Sequence, residues 1–98
     1  MTFYCHCSLC RRAGGAPFVG AAAFKPENVT FHGEANIRDF IPPKSRVPRR
    51  FCAKCSSYIA EDARPVLGVY ALPIGLCQGP VEKIYRPNQH IFYGSRIM

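Results

Sequence analysis

The stretch YCHCSLCRR, residues 4–12, decides how this chain is interpreted. Its three cysteines follow a C-x-C-x2-C pattern, and neighbours this close would strain a disulfide bond formed within the cluster. The same spacing suits a soft divalent ion such as zinc, which binds three or four thiolates. We therefore predict that Cys5, Cys7 and Cys10 bind a metal ion.

A second pair, Cys52 and Cys55, forms a C-x2-C motif that two strands would flank as in the hairpin of a zinc knuckle. Either cysteine could join the first cluster and close a four-thiolate site. Alternatively, the first cluster could hold an ion alone and keep one coordination position open. Spacing does not decide between these arrangements. Cys77 stands in an isolated turn, where we expect a free thiol.

Two other uses of the cysteines fit less well. A thioredoxin-like redox pair belongs on a βαβ unit, which the sequence does not suggest. A disulfide framework belongs to an exported chain, but residues 1–3 do not resemble a signal peptide. No apolar run is long enough to span a bilayer. We therefore expect a cytoplasmic protein with reduced cysteines and no membrane partner.

The composition predicts one small globular domain, residues 1–98, because 48% of the residues are hydrophobic. A chain of this length buries a modest core, so a bound metal ion would contribute to stability. Short apolar runs broken by nine prolines and eight glycines favour an all-β fold. We predict strands at residues 18–24, 29–31, 36–41, 66–72 and 90–93, a strand or one helical turn at 81–85, and no long amphipathic helix.

The formal charge is +7, but three thiolates on a divalent ion would form a unit of charge −1 and make the protein less basic. Arginines flank both cysteine motifs at Arg11, Arg12, Arg49 and Arg50. They could compensate buried thiolates or be solvated. They could instead bind an anionic substrate through bidentate contacts. A nucleic-acid surface is a third interpretation.

The histidines and glycines near the clusters are ambiguous. His6 lies between two candidate ligands, so in an extended segment its side chain points away from them, toward a pocket or toward solvent. His90 opens an apolar strand and fits a structural role. Gly14 and Gly15 would allow the backbone to approach either a ligand or a neighbouring strand.

Residues 5–18, CHCSLCRRAGGAPF, resemble the C-H-C-x2-C-R-R-x-x-G-A-P-F signature of the glutathione-dependent formaldehyde-activating (GFA) family, which includes centromere protein V. The Cys52 and Cys55 motif, an apolar strand and the late pair His90-Ile91 follow in the same order. The resemblance spans nearly the whole chain. It implies an all-β, tent-like arrangement of packed antiparallel sheets, with zinc-binding cysteine loops.

The resemblance also implies zinc at Cys5, Cys7 and Cys10 with an open position, and a carbon–sulfur lyase activity that joins glutathione to formaldehyde. An all-thiolate zinc is suited to holding an incoming thiol, which makes these cysteines catalytic candidates. Arg11, Arg12 or Arg49 would bind the carboxylates of glutathione, and the Gly14-Gly15 backbone would approach it. A non-catalytic zinc module and a nucleic-acid-binding zinc protein are the alternatives.

The family pattern normally includes an earlier strand with a C-x-C pair, which closes a structural zinc site with the C-x2-C pair. Here Met1 stands just before the first cluster, and Ser56 follows Cys55 where the family commonly has glycine. Whether Cys52 and Cys55 bind metal without that pair stays open. An uncovered sheet edge would favour pairing with a second chain, so we also expect a homodimer.

Overall fold

The structure is a computed structural model that describes residues 1–78 and 86–98. In these ranges the chain is mostly β, which confirms the predicted fold class. The strands are β1 (Thr2–Cys5), β2 (Val19–Phe24), β3 (Ile37–Phe40), β4 (Arg49–Cys52), β5 (Tyr58–Ala63), β6 (Val69–Pro73) and β7 (His90–Ile91). The helices are α1 (Ser8–Gly14) and α2 (Arg64–Leu67), with 3₁₀ turns at Pro26–Asn28, Glu34–Asn36, Ile74–Leu76 and Tyr93–Ser95.

The chain forms two compact units. The first comprises Met1–Ala22 and Pro73–Met98, and the second comprises Ala23–Leu72. The single domain expected from the sequence stays a prediction, as do the tent-like packing of sheets and the homodimer. No helix in the described ranges is long and apolar enough to cross a membrane.

In the first unit, β1 lies between β2 and β7. Its pairing with β2 is antiparallel, with Tyr4 opposite Gly20, whereas its pairing with β7 is parallel, with Tyr4 opposite His90. The parallel pair departs from the antiparallel sheets that we expected. Parallel strands need a long connection between them, and the many residues between β1 and β7 in the sequence provide one. Phe3 and Cys5 alternate with more exposed residues and face the core.

In the second unit, β3, β4, β5 and β6 form an antiparallel series. Cys52 ends β4 and Cys55 lies in the turn that leads to β5, as predicted for a knuckle hairpin. The register shifts between Arg50 and Phe51, where a bulge adds a residue to β5. The predicted strand at residues 36–41 corresponds to β3.

Three sequence predictions about strands need correction. Residues 29–31 form no strand. The predicted strand at 66–72 is α2 followed by β6, because Gly68 ends the helix with a left-handed φ of +68°. The predicted strand at 90–93 stops after Ile91, because Phe92 also has a positive φ, +52°. The segment predicted at 81–85 lies outside the described residues.

Small side chains dominate the core of both units. The first unit buries Phe3, Cys5, Cys10, Ala21 and Ala22, and the second buries Ala60, Ala63, Tyr70 and Ala71. Alanines bury little apolar area, and the hydrophobic contribution to stability scales with that area. Two of the buried side chains in the first unit are cysteines, so cross-linking through a metal ion would add substantially to this core.

Candidate metal centre

Three cysteine sulfurs converge in the first unit. Cys5 ends β1, Cys7 caps the start of α1, and Cys10 lies in the first turn of that helix. The three Sγ atoms all lie within 4.8 Å of one another. In the ranges that the structure describes, no other group of three or more His, Cys, Asp or Glu side chains could hold a metal ion. The structure therefore brings together the three residues that the sequence predicted.

The convergence follows from local backbone geometry. Cys7 has extended backbone angles, and its Sγ accepts a hydrogen bond of 3.3 Å from the backbone N–H of Cys10. Since an α-helix has 3.6 residues per turn, a C-x2-C spacing places Cys10 nearly above Cys7. The helix ends at Gly15, whose φ is +62° and whose N–H caps the carbonyl of Arg11. Cys10 thus lies on a helix and not on a cysteine loop of the kind that the family resemblance implies.

The donor set fits zinc. Tetrahedral zinc with Zn–S bonds of about 2.3 Å separates its sulfurs by about 3.8 Å, a spacing that the present separations allow. Cys5 and Cys10 are each 3% exposed. The hydrogen bond with Cys10 lowers the pKa of the Cys5 thiol, but the hydrogen bond with Cys7 and burial outweigh it and raise the pKa to about 11. Crowded thiols of this kind ionise together when a cation neutralises them.

His6 is the most constrained residue of this segment. It is 3% exposed, its N–H donates to the carbonyl of Ile91 at 3.1 Å, and its carbonyl accepts from Nε of Arg11 at 3.2 Å. Its ring Nε2 lies 2.9 Å from Nδ1 of His90. Burial lowers the pKa of His6, and the charges of His90, Arg96 and Arg11 act in the same direction. Of the two orientations expected for His6, the structure shows the buried one.

His6 belongs to an aromatic cluster, which we define as Tyr4, His6, Phe18, His90 and Tyr93. Neighbouring rings in this cluster have centroids 5.1 to 5.6 Å apart. Sequence reasoning assigned His90 a structural role but did not predict this cluster, whose members come from both ends of the chain. The late position of His90 in the family-like order of motifs was its one signal.

The arginines and glycines after Cys10 have different environments. Arg11 is half-buried, whereas Arg12 is exposed. A Cβ on Gly14 would lie 2.6 Å from Cγ2 of Val19, so glycine is required there for packing. Gly15 requires glycine for its positive φ. These observations give both glycines a structural reason, and their predicted contact with a substrate stays a prediction.

Arg49 and Arg50 lie in the second unit and are both paired with carboxylates. Nη1 of Arg49, which is 4% exposed, lies 2.7 Å from Oε1 of Glu61. Nε of Arg50 lies 2.9 Å from Oδ1 of Asp39, and its Nη1 lies 3.4 Å from Oε1 of Glu34. These contacts favour charge compensation within the fold. The substrate-binding role of Arg49 stays a prediction.

The second cysteine pair forms a tight turn in the second unit. Backbone hydrogen bonds join Cys52 N to Ser57 O at 2.9 Å and Ser56 N to Cys52 O at 2.8 Å. Ser56 has a φ of +65°, a conformation that favours glycine. The exposed Cys55 thiol lies 3.1 Å from the Ser57 hydroxyl, and this contact, with the Ser57 backbone and Cys52, lowers its pKa. Metal binding at Cys52 and Cys55 stays a prediction.

Cys77 is exposed just after the 3₁₀ turn at Ile74–Leu76. All six cysteines, each within the described ranges, are free of disulfide bonds. The reduced state expected from the sequence stays a prediction.

The family model described as "Glutathione-dependent formaldehyde-activating enzyme" matches residues 1–95. The chain belongs to this family. The match extends over both units and includes all the cysteines discussed above. A comparison with curated proteins found no match. Membership of the glutathione-dependent formaldehyde-activating family associates the chain with enzymes and with glutathione-dependent formaldehyde activation, and the family resemblance inferred from the sequence is confirmed.

Proposed function

We propose that this protein is a zinc-dependent enzyme that adds the thiol of glutathione to formaldehyde to give S-(hydroxymethyl)glutathione. Written in reverse, this is a carbon–sulfur lyase reaction. The observation that carries the proposal is the convergence of the Cys5, Cys7 and Cys10 sulfurs within 4.8 Å in a chain of this family.

Three protein ligands would hold the proposed ion, which is the number typical of catalytic zinc sites. Cys5, Cys7 and Cys10 would hold it, and when bound it would lower the pKa of a thiol placed at the fourth position. Cys5 and Cys10 are buried whereas Cys7 is half-buried, so a substrate would approach from the Cys7 side.

The overall reaction is an addition without a change of oxidation state. A bond forms between the glutathione sulfur and the formaldehyde carbon, the C=O double bond becomes a single bond, and the thiol proton ends on the new hydroxyl oxygen. The residues of the chain must therefore bind glutathione through its carboxylates and orient its sulfur, but they need not supply electrons.

We assign the binding of those carboxylates to Arg11 and Arg12, which follow Cys10 on α1. The hydrogen bond from Nε of Arg11 to the carbonyl of His6 holds Arg11 in place beside the cysteine segment. Arg12 is exposed and can meet a ligand in solvent. Guanidinium groups bind carboxylates through paired hydrogen bonds, so this pair suits a substrate with more than one carboxylate.

The burial of Cys5 and Cys10 in a core of small side chains favours one other function, a non-catalytic module in which metal binding only stabilises the fold. A nucleic-acid-binding protein, suggested by the charge of +7, is a weaker proposal, because two of the arginines concerned are paired with carboxylates.

The test is elemental analysis of the purified protein followed by titration of glutathione into its cobalt-substituted form. A glutathione-dependent change in the cobalt absorption spectrum, together with ¹³C-NMR detection of faster formation of the adduct from labelled formaldehyde, would support the enzyme. Cys7→Ser should abolish both effects. Cys77→Ser is the matched control, because it removes an exposed thiol outside the cluster.

Each other outcome has a defined meaning. A bound metal whose spectrum ignores glutathione would favour the structural module. A bound metal together with salt-dependent retention on DNA would support the nucleic-acid-binding zinc protein. Absence of any stoichiometric metal would contradict all three proposals.

A further inference from the structure

The C-terminal strand β7 runs directly beside the segment that carries the cysteines. Tyr4 N donates to the carbonyl of Gln89 at 2.8 Å, and His6 N donates to the carbonyl of Ile91 at 3.1 Å. Cys5 lies opposite Ile91 on this side of β1 and opposite Val19 on the other. Strand pairing therefore holds Cys5 on both sides, but beyond Cys5 the segment that leads to Cys7 continues without a strand.

His6, which lies between Cys5 and Cys7, makes a further contact with β7 through the side chain of His90. His6 Nδ1 is buried and has no hydrogen-bond partner in residues 1–78 and 86–98, whereas Nε2 lies 2.9 Å from His90 Nδ1. A proton on His6 Nδ1 would be a buried, unsatisfied donor, which is costly. The favoured arrangement places the proton on His6 Nε2, which donates to His90 Nδ1. His90 then acts as the hydrogen-bond acceptor that holds the His6 ring.

The His6 ring has few alternative positions. Phe18 and Tyr93 pack against it at centroid distances of 5.2 and 5.3 Å, and both backbone groups of His6 are hydrogen-bonded. Without an acceptor on His90, the buried Nε2–H would lose its partner. The ring would then have to rotate toward water, and the backbone that joins Cys5 to Cys7 would have to move with it.

We propose that His90 is a positioning residue of the metal centre: it accepts a hydrogen bond from His6 and so holds the Cys5–Cys7 segment in its metal-binding conformation before the ion arrives. This inference rests on the proposed metal binding by Cys5, Cys7 and Cys10. Partners that orient metal-binding segments commonly affect metal affinity by about 10- to 100-fold when they are removed. By this proposal, a residue of β7 supports a metal centre whose cysteines lie at residues 5–10.

The experiment compares cobalt binding by the full chain and three variants, using competition with a chelator to measure affinity and the sulfur-to-cobalt charge-transfer bands to report geometry. His90→Leu removes the acceptor. His90→Asn keeps one, because an asparagine side-chain oxygen can occupy a position close to that of Nδ1. His32→Leu is the matched control, since His32 is an exposed histidine of the second unit.

We expect His90→Leu to bind cobalt about 10- to 100-fold more weakly and with shifted charge-transfer bands at saturation. His90→Asn and His32→Leu should retain the affinity and the spectrum of the unsubstituted protein. A residue that only stabilised the fold would lower the unfolding temperature but leave the cobalt affinity and the saturated spectrum of the folded protein unchanged, so that result would overturn the proposal. Equal losses in His90→Leu and His90→Asn would overturn it as well.

The outcomes separate this inference from the proposed function. If the unsubstituted protein binds cobalt and His90→Leu binds it equally well, the metal centre stands and the role of His90 is wrong. If the unsubstituted protein binds no cobalt, the proposed function fails, and this inference fails with it. Should His90→Leu not fold, ¹⁵N NMR of the imidazole rings in the unsubstituted protein decides: a proton on Nδ1 of His6 would contradict the hydrogen bond described above.

Discussion

Nη1 of Arg49 lies 2.7 Å from Oε1 of Glu61, directly across the pairing of β4 and β5. Arg49 is almost fully buried, and removing one member of a buried ion pair is strongly destabilising. We therefore expect Glu61→Ala to lower the free energy of unfolding by about 3 kcal/mol in urea denaturation.

Arg49→Met distinguishes a structural role from the predicted substrate role of this arginine. If Arg49 has a structural role, Arg49→Met should lower the free energy of unfolding. If Arg49 instead binds the substrate, Arg49→Met should raise the KM for glutathione and leave the free energy of unfolding unchanged. Arg38→Met, which removes an exposed arginine of β3, should change neither quantity. An effect of Arg49→Met on KM alone would overturn the structural interpretation.

The close approach of Gly14 and Val19 predicts that a substitution at Val19 relieves the effect of one at Gly14. Gly14→Ala places a Cβ 2.6 Å from Cγ2 of Val19, and overpacking of this kind costs about 1–3 kcal/mol of stability. The double variant Gly14→Ala with Val19→Ala should lose less unfolding free energy than the sum of the losses in the two single variants. The second change removes the methyl group that clashes with the new Cβ.

Gly15→Ala is the control for that pair. Its cost arises from the positive φ of +62°, and no atom outside its immediate chain neighbours lies within 4 Å of the added Cβ. Val19→Ala should therefore not rescue it. Thermal unfolding of the six proteins (the unsubstituted protein, the three single variants and the two double variants with Val19→Ala) would show whether rescue is specific to Gly14.

Ser56→Gly should stabilise the protein by about 1 kcal/mol. Ser56 has a φ of +65°, which an L-residue adopts only at a cost of about 1–2 kcal/mol and which glycine adopts readily. The gain is partly offset because glycine has a more flexible unfolded chain. Ser57→Gly is the adjacent control: Ser57 lacks a positive φ and its hydroxyl contacts Cys55, so this change should destabilise.

Asp62 predicts a pH-dependent contribution to stability. Its carboxylate accepts hydrogen bonds of 2.8 Å from Nε and Nη2 of Arg64, and this pairing lowers the pKa of Asp62. Because the folded-state pKa lies below the value of about 3.9 for an unfolded aspartate, the contribution is present above that value and lost as pH falls through the folded-state pKa.

Asp62→Asn should therefore cost about 1 kcal/mol at pH 7, since Arg64 is half exposed and solvent weakens the pair. The difference in unfolding free energy between the two proteins should shrink below about pH 4. Glu27→Gln, which removes an exposed carboxylate, should show no such trend. A pH-independent difference for Asp62→Asn would argue against the ionic contribution.

Metal removal should lower the unfolding temperature. A ligand that binds only the folded state at 100 times its Kd contributes about 2.7 kcal/mol, which corresponds to a shift of about 10–20 °C for a chain of this size. A chelator should thus destabilise the metal-loaded protein and the Cys77→Ser control to the same degree. Cys10→Ser should lose most of this response, and an unchanged response would place the metal elsewhere.

Much of the β architecture could be predicted from the sequence, but strand limits could not. The hairpin around Cys52 and Cys55 and the strands β2 and β3 follow from short apolar runs between turn residues. The strand predicted at 66–72 was right for residues 69–72 but wrong for 66–68, because Asp62 accepts a hydrogen bond from the N–H of Arg64 at the start of α2 and Gly68 ends that helix. These backbone effects override the preference of valines and aromatics for strands.

The sequence by itself determined the cluster of three cysteines. Cys5, Cys7 and Cys10 lie within six residues, so the end of one strand and the first turn of one helix suffice to bring their sulfurs together. Only the tertiary structure decided the surroundings of that cluster. His6 and His90 are 84 positions apart, and they meet because β7 pairs in parallel with β1. Such pairing depends on closure of the whole intervening chain, which no local pattern specifies.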